Sequence, residues 1–337
     1  MSFWPLFPKS DYVKNLELHA HLNGSLSRST LKALGCLDNT IGTYQTVETN
    51  LDDVFSLFQV AHKATRTIDN LLYATRKVIE EFADDNVIYL ELRTTPRSEE
   101  GMSTEEYIET VVKAVRSVGS GKILVKLLLS LDRRRSMEKQ EEVLDLIIGY
   151  KDKYPDLIKG VDLSGDPSKG AFFKQVFEKA RKHGLYTAIH CAEVKNDEEV
   201  KDIIEFKPDR LGHGTFIHPQ YGGSLNIWEV YKQKEIPVEC CLTSNVICKT
   251  SKSYKQHHVQ EWIKESLPFC LSTDDKGVFN TSLSKEFQVV QENFNLTQEE
   301  LWKISKNSVE YSFASPEEKQ FLIFELEQWR NKNIPNR

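Results

Sequence analysis

The strongest constraint on the fold is an alternation of short β-rich runs with longer segments of helical spacing. The β-rich runs lie at residues 13–18, 87–93, 123–130, 158–163, 186–190, 210–213, 237–241 and 269–273. Amphipathic segments lie between them, for example at 71–84, 104–118, 138–150, 171–183, 197–206 and 224–234. This alternation indicates parallel strands with right-handed helical crossovers. Eight units predict an α/β fold, a (β/α)₈ TIM barrel, with a doubly wound open sheet as the alternative.

Two stretches exceed a minimal barrel. Residues 38–66 follow the first unit, and the apolar spacing of Leu51, Phe55 and Phe58 predicts a helix over the barrel mouth, a candidate lid. Residues 298–331 predict two C-terminal helices, and Pro316 suits the start of the second. Because no repeat or linker is visible, we expect one domain over residues 1–337.

Composition limits the partners and the compartment. The 337 residues are 39% hydrophobic and carry a net charge of −6, which disfavours nucleic-acid binding. No apolar run approaches the roughly 20 residues that span a bilayer. Pro5 and Pro8 interrupt the apolar N-terminal residues, so we expect no signal peptide. The six cysteines form no Cys-x-x-Cys pair and indicate reduced thiols. We therefore expect a cytosolic monomer.

Polar residues follow all eight β-rich runs at the same end. In a barrel, the carboxyl ends of the strands form one face, and enzymes of this fold build their sites there. His19 and His21 lie two residues apart, so an extended chain aims both imidazoles the same way. Further polar groups follow at 93–97, 132–134, 164–166, 190–193, 212–214, 243–245 and 274–275.

These residue types suit a catalytic zinc ion. His19, His21, His190 and Asp274 offer three imidazoles and a carboxylate, a ligand set that Zn²⁺ accepts while keeping a position for water. A zinc-bound water has a pKa of about 7. Glu193, three residues beyond His190, is the candidate acid and base. His213 lies between two glycines and can hold the water, and Asp275 supplies a second carboxylate.

Four motifs resemble the adenosine deaminase family. They are His-Ala-His-Leu-Asn-Gly-Ser at 19–25, His-Cys-Ala-Glu at 190–193, Leu-Gly-His-Gly at 211–214 and Ser-Thr-Asp-Asp at 272–275. The resemblance covers nearly the whole chain and implies a (β/α)₈ barrel that deaminates a 6-aminopurine with one zinc ion. It implies that Glu193 protonates purine N1, that His213 positions the water, that Asp275 helps to hold water and purine, and that Gly165 contacts the base through its backbone.

Two departures point to a subgroup. Asn23 stands where adenosine deaminases typically carry aspartate, and Arg-Thr-Thr-Pro-Arg follows the second run at 93–97. Arg97 and Arg133 are expected at the pocket mouth, where a 5′-phosphate would bind them. These features resemble the adenosine deaminase-like subgroup, the N6-methyl-AMP deaminases. The resemblance implies a small-molecule nucleotide lined by His21, Asn23, His62, Thr94, Thr95, Pro96, Arg97, Asp132, Arg133, Gly165 and Asp275.

Alternatives remain open at the level of the sequence. The chain could be a plain adenosine deaminase with structural arginines, an adenine deaminase that acts on the free base, or a non-catalytic purine-binding relative. Arg134 and Arg135 are expected to belong to a solvated basic run. His257 and His258 have no partner carboxylate in the sequence and are expected at the surface.

Overall fold

The structure is a computed structural model that describes residues 13–36, 51–118 and 122–335, with the backbone alone for 51–57. Two expectations fall partly outside these ranges. Pro5 and Pro8, which argued against a signal peptide, lie outside the described residues. So do residues 38–50, the first part of the candidate lid.

The described strands form one parallel sheet in chain order, which confirms the predicted (β/α)₈ barrel. Neighbouring strands pair in parallel throughout. The sheet closes where the end of the first strand meets the residues after the last: Ala20 bridges Asp274, and Asp274 N–H donates to His19 O at 2.8 Å. The strands are β1 Asn15–His21, β2 Val87–Thr94, β3 Leu124–Asp132, β4 Ile158–Ser164, β5 Tyr186–Cys191, β6 Arg210–His213, β7 Val238–Cys240 and β8 Phe269–Leu271.

Helices lie between the strands because their segments alternate buried and exposed faces. In the helix Ile68–Asp84, for example, Leu71, Val78 and Phe82 are buried on one side. The described α-helices are Arg28–Ala33, Leu51–Ala64, Ile68–Asp84, Thr104–Ser117, Met137–Lys153, Lys174–Lys182, Asp197–Phe206, Leu225–Lys234, Leu242–Ile247, Val259–Lys264, Leu283–Phe294, Gln298–Tyr311 and Pro316–Asn333.

The additions to the barrel are helical, as predicted. The helix Leu51–Ala64 brings Phe58 and His62 to the cavity at the mouth. At the other end of the chain, Trp302 Nε1 donates to Leu326 O at 3.1 Å, which joins the two C-terminal helices Gln298–Tyr311 and Pro316–Asn333. Among the described helices, we find none with the length and apolarity needed to cross a bilayer.

Candidate metal centre and active site

The strand ends carry an unusual backbone. Ala192 after β5, His213 at the end of β6 and Asp274 after β8 have φ values of 57°, 63° and 61°. Non-glycine residues in this left-handed region cost about 1–3 kcal/mol each and cluster at functional sites. All three occur in motifs that the sequence singled out. Seven other described non-glycine residues also have positive φ, among them the helix C-caps Lys207, Glu235 and Asn295, so the strain supports a functional face here only together with the motifs.

Three histidines and one aspartate converge at this face. His21 Nε2 lies 3.1 Å from His190 Nε2 and 3.4 Å from Asp274 Oδ1, and His19 Nε2 lies 3.3 Å from the same oxygen. Two ligands that each lie about 2.0–2.1 Å from one tetrahedral ion are themselves roughly 3.3 Å apart. The three separations between these donors, 3.1 to 3.4 Å, suit ligands of one metal ion.

The far nitrogens of two histidines are held by buried carboxylates. His19 Nδ1 lies 2.7 Å from Glu239 Oε2, and His190 Nδ1 lies 2.9 Å from Asp162 Oδ1. A ring that donates from Nδ1 to a carboxylate keeps its lone pair at Nε2, as metal-binding histidines usually do. His19 Nε2 is buried and has no hydrogen-bond partner among the described residues. An orphaned acceptor aimed into the cluster is the arrangement that a metal ion would complete.

A second combination of donors overlaps the first. His19, His190, His213 and Asp274 offer ligand atoms within 4.8 Å of one another, so His213 could replace His21 by distance alone. His213 differs in the partner of its other nitrogen: Asn245 Nδ2 lies 3.3 Å from His213 Nδ1. Distance alone groups His213 with His19, His190 and Asp274, and places His21 in a second group with His190 and Asp162. The amide at His213 Nδ1 is the argument against His213 as a ligand.

Two arginines balance the carboxylates behind the histidines. Arg93 Nη1 donates to Asp162 Oδ1 at 3.1 Å, Arg93 Nη2 to Glu239 Oε1 at 2.5 Å, and Arg210 Nε to the same Glu239 oxygen at 2.6 Å. Burial raises the pKa of the Glu239 carboxyl, but Arg93 and Arg210 outweigh it and hold that pKa well below its usual range. Against the same effect of burial, His190 and Arg93 lower the pKa of Asp162. Both carboxylates are therefore ionised acceptors.

The three candidate catalytic residues line the cavity beside this cluster. Glu193 Oε2 lies 3.5 Å from His213 Nε2. Burial lowers the pKa of His213, so its ring is neutral near pH 7. Burial and the adjacent Asp274 raise the pKa of the Asp275 carboxyl well above its usual range. A Cβ on Gly24 would lie 1.6 Å from Asp275 Oδ1, so only glycine admits this carboxyl here.

The cavity has a volume of about 470 Å³, within the range of small-molecule sites. It contains most of the residues that the resemblance implied for substrate binding: His21, Asn23, His62, Thr94, Thr95, Gly165 and Asp275. The remaining four, Pro96, Arg97, Asp132 and Arg133, are described residues that lie outside its wall.

Both arginines expected at the pocket mouth are engaged elsewhere. Arg97 donates from Nε to Glu99 at 3.0 Å and from Nη2 to Thr65 Oγ1 at 2.9 Å. Thr65 in turn donates to Asn23 at 3.2 Å, so Arg97 lies one residue behind the cavity wall. The Arg133 side chain is 4% exposed and pairs with Glu199. Neither guanidinium group lines the cavity in this structure, so their contact with a phosphate stays a prediction.

Arg134, expected to be merely solvated, lines the cavity together with Lys169. Asp132 holds Arg134 through Nε at 2.8 Å and Nη2 at 2.7 Å, which leaves the Nη1 edge for a ligand. Lys169 Nζ lies 3.0 Å from Asp166. The sequence showed the run of three arginines after β3, but only the turn geometry decides which of them faces the cavity.

The adjacent pair His257 and His258 is buried, which overturns the expected surface position. Both side chains are fully buried, and they contact Asn245 and the backbone of His213. Asp162 and Glu239 are site residues that sequence reasoning missed, whereas Arg93 and Asn245 were noted at strand ends without a role. Three of them carried a visible signal, because a charged residue inside an apolar strand run must find a buried partner.

Comparisons with known proteins place this chain in one family. The sequence model for adenosine deaminase matches residues 15–329. The human N6-methyl-AMP deaminase is 40% identical over 324 residues, 91% of this chain and 91% of that protein. An Arabidopsis N6-mAMP deaminase superposes with a TM-score of 0.87 at 36% identity, over 95% of this chain and 99% of that one. Arabidopsis ADAL complexed with IMP superposes with a TM-score of 0.88 at 35% identity, over 96% of this chain and 98% of that one.

Proposed function

Because this chain belongs to the adenosine deaminase family, we propose that it is a zinc-dependent deaminase of 6-(alkyl)amino purine nucleotides. The reaction we propose converts N6-methyl-AMP and water to IMP and methylamine. The observation that carries this proposal is one cavity that combines the converging histidine–aspartate cluster with exposed cations. The histidine–aspartate cluster suits a metal ion that activates water, and the cations suit a phosphate group.

Zinc is the metal we propose, held by His19, His21, His190 and Asp274. Three nitrogen donors and one carboxylate, with carboxylates behind two of the rings, match the usual surroundings of a catalytic zinc. When bound, the ion would supply the Lewis acidity that lowers the pKa of a water molecule to about 7.

The chain's own residues then divide the proton transfers. Glu193 is the acid that protonates purine N1, which withdraws electrons from C6 and makes that carbon electrophilic. His213, 3.5 Å from Glu193, orients the attacking water. Asp275 holds the water and the base, and Gly165 contacts the base through its backbone. Attack at C6 gives a tetrahedral carbon, and the amine leaves after it has taken a proton.

The phosphate subsite that we propose consists of Arg134 and Lys169, with His62 and Asn23 on the neighbouring wall. Asp132 fixes the Arg134 guanidinium without using Nη1. Each charge-assisted hydrogen bond to a phosphate contributes about 1.5–3 kcal/mol. A nucleoside lacks this group, so these cations favour a nucleotide over adenosine. The similarity to an Arabidopsis protein complexed with IMP supports the same choice.

The test is a substrate panel on the purified, zinc-loaded protein. N6-methyl-AMP, AMP, adenosine and adenine are followed by the change in purine absorbance, with the Glu193→Gln variant as the blank. We expect the highest kcat/KM for N6-methyl-AMP. A preference for adenosine would keep the metal chemistry but refute the phosphate subsite, and no turnover of any purine would favour a non-catalytic relative.

We further propose that the protein acts as a cytosolic monomer. All six cysteines are free thiols, and four of them are buried. Reduced thiols are the rule in the cytosol, whereas secreted proteins tend to pair them. Cell fractionation tests the compartment, and light scattering coupled to size-exclusion chromatography tests the oligomeric state.

A further inference from the structure

His213 is contacted from two sides by the adjacent pair His257 and His258. His258 Nε2 donates to the backbone oxygen of His213 at 2.8 Å, while His257 reaches the His213 ring through the Asn245 side chain. His213, Asn245 and His257 are at most 2% exposed, so bulk water does not compete for these bonds. A buried chain of hydrogen bonds, in which each atom must either donate or accept, allows few arrangements of its protons.

The first backbone N–H of the helix Val259–Lys264 determines which ring nitrogen of His257 is protonated. The backbone N–H of Val259 donates to His257 Nδ1 over 3.1 Å, so Nδ1 is an acceptor. A neutral imidazole that accepts at Nδ1 carries its proton at Nε2. His257 Nε2 therefore donates to Asn245 Oδ1, 2.9 Å away. A doubly protonated ring would set its Nδ1–H against the Val259 N–H.

The orientation of the Asn245 amide determines which ring nitrogen of His213 is protonated. Since Asn245 Oδ1 accepts from His257, the end of the amide that faces His213 is Nδ2, a donor, 3.3 Å from His213 Nδ1. The flipped amide would set Nδ2 against the protonated nitrogen of His257. His213 Nδ1 must therefore accept, which leaves its proton on Nε2, the atom nearest to Glu193.

We propose that Asn245 and His257 are positioning residues that hold His213 in the tautomer protonated at Nε2. In this tautomer, His213 presents a hydrogen-bond donor to the cavity and has no lone pair there for a metal. His19 and His190 have the opposite tautomer, because carboxylates accept hydrogen bonds from their Nδ1–H groups. His213 thus orients the attacking water and is excluded from the metal's ligand set. The kinetic consequence rests on the proposed function, whereas the tautomer does not.

The direct test is nuclear magnetic resonance of the zinc-loaded full chain with ¹⁵N-labelled histidine. The His213→Gln variant identifies the His213 signals by their loss. We expect His213 Nδ1 to resonate as an unprotonated ring nitrogen and Nε2 as a protonated one. The reverse pattern would overturn the proposal. This measurement needs no substrate, so it stands even if the wild type turns over none of the purines and the proposed function fails.

Two variants of His257 form a matched pair. In His257→Gln, the side-chain amide can still accept from Val259 and donate to Asn245, whereas His257→Leu can do neither. We expect His257→Gln to retain most of kcat and His257→Leu to lose about tenfold or more, with similar KM and equal zinc content, because one orienting contact is lost. Equal kcat in the two variants would overturn the proposal.

Asn245→Asp separates orientation from packing, and it also serves if His257→Leu does not fold. A carboxylate of the same shape accepts from both rings, so it forces the His213 proton onto Nδ1. We expect the ring-nitrogen pattern of His213 to invert and kcat to fall about 100-fold, with KM little changed. An unchanged nitrogen pattern in this variant would contradict the proposal, since a residue that only packs would leave the tautomer alone.

Discussion

At the scale of single residues, the second ring nitrogen decides what a histidine of this site can do. His19 and His190 donate hydrogen bonds from Nδ1 to the carboxylates of Glu239 and Asp162, so both rings present a lone pair at Nε2. His213 meets an amide donor instead. Three buried imidazoles with ring centroids within 5.3 Å of one another are thereby suited to two different tasks.

Glu193→Gln tests the acid. Glutamine keeps the size of the side chain but has no carboxyl proton to give to purine N1. Glu193 lies outside both groups of converging ligand atoms, so we expect an unchanged zinc content. Turnover should fall about 10²–10⁴-fold, the usual worth of general acid catalysis. Steady-state kinetics with metal analysis measures both quantities, and near-normal turnover would refute the role.

Arg134→Gln tests the phosphate subsite. Loss of a charge-assisted contact of about 1.5–3 kcal/mol lowers kcat/KM for N6-methyl-AMP roughly 10- to 150-fold. We expect kcat/KM for adenosine to stay the same, because a nucleoside has no phosphate. The measurement is the ratio of the two kcat/KM values in the variant and the wild type.

Arg135→Gln is the matched control for this prediction. Arg135 is the next residue in the chain, its side chain is 71% exposed, and it does not line the cavity. We expect its ratio of kcat/KM values to equal that of the wild type. If both arginine variants lowered nucleotide turnover equally, the effect would be general electrostatic attraction and not a subsite.

At the scale of elements, the strands were predictable and the turns were not. All eight β-rich runs became strands, because a parallel strand buried on both faces leaves a nearly continuous apolar signal. The short helices Leu242–Ile247 and Val259–Lys264 were missed, since six residues are too few to show a helical period. These two helices carry Asn245 and the Val259 N–H, so the positioning chain behind His213 was missed with them.

The proposed metal ligands and Glu193 could be named from the sequence because each lies within three residues of the carboxyl end of a strand. Side chains near a strand end alternate between the barrel interior and the surrounding helices, so the period of two indicates which of them face the mouth. Arg133 and Arg134 are the first two residues after β3 and lie in a turn, where the period of two no longer fixes the direction of a side chain. The sequence therefore located the cluster, whereas the choice between these two arginines required coordinates.

The N-terminus of the helix Pro316–Asn333 offers a test of element stability. Ser315 accepts from Glu318 N–H at 3.2 Å, and Glu318 accepts from Ser315 N–H at 2.8 Å, a reciprocal capping box. We expect Ser315→Ala to lower the free energy of unfolding by about 1 kcal/mol, with unchanged turnover. Chemical denaturation measures the loss.

Ser136→Ala provides the comparison. Ser136 caps the helix Met137–Lys153 with a hydrogen bond of 3.5 Å from Lys139 N–H and no reciprocal bond from the residue at that position. A longer bond in an exposed position contributes less, so we expect a smaller loss of stability than at Ser315. An equal loss in the two variants would show that the shorter side-chain bond at Ser315 contributes no more than the longer one at Ser136.

At the scale of the whole molecule, the metal site and the barrel core share one charge network. Arg93 and Arg210 lie inside the barrel with Glu91, Asp162 and Glu239, and all five are fully buried. Arg210 pairs with Glu91 as well as with Glu239. Because Asp162 and Glu239 also hold two histidine rings, the groups that orient two of the proposed metal ligands also neutralise the core.

Removal of the metal should therefore weaken the entire fold. A ligand that binds only the native state stabilises it in proportion to the logarithm of its concentration over Kd. We expect a chelator to lower the midpoint of thermal unfolding and Zn²⁺ to restore it. Ca²⁺ should fail to restore it, because calcium prefers oxygen donors to imidazole. If the chelator left the midpoint of thermal unfolding unchanged, the result would count against a metal ion in this cluster.

Arg93→Leu tests the coupling between site and core. Asp162 and Glu239 would keep their buried charges but lose the guanidinium that bridges them, which costs about 3–5 kcal/mol of unfolding free energy. Zinc affinity should fall about 10- to 100-fold, because the carboxylates behind His19 and His190 are no longer fixed. Arg93→Lys keeps the charge but cannot reach both carboxylates in the same way, so its losses should be intermediate. Denaturation curves and zinc titrations of the two variants measure these effects. If Arg93→Leu were less stable yet bound zinc as tightly as the wild type, the core and the metal site would be independent.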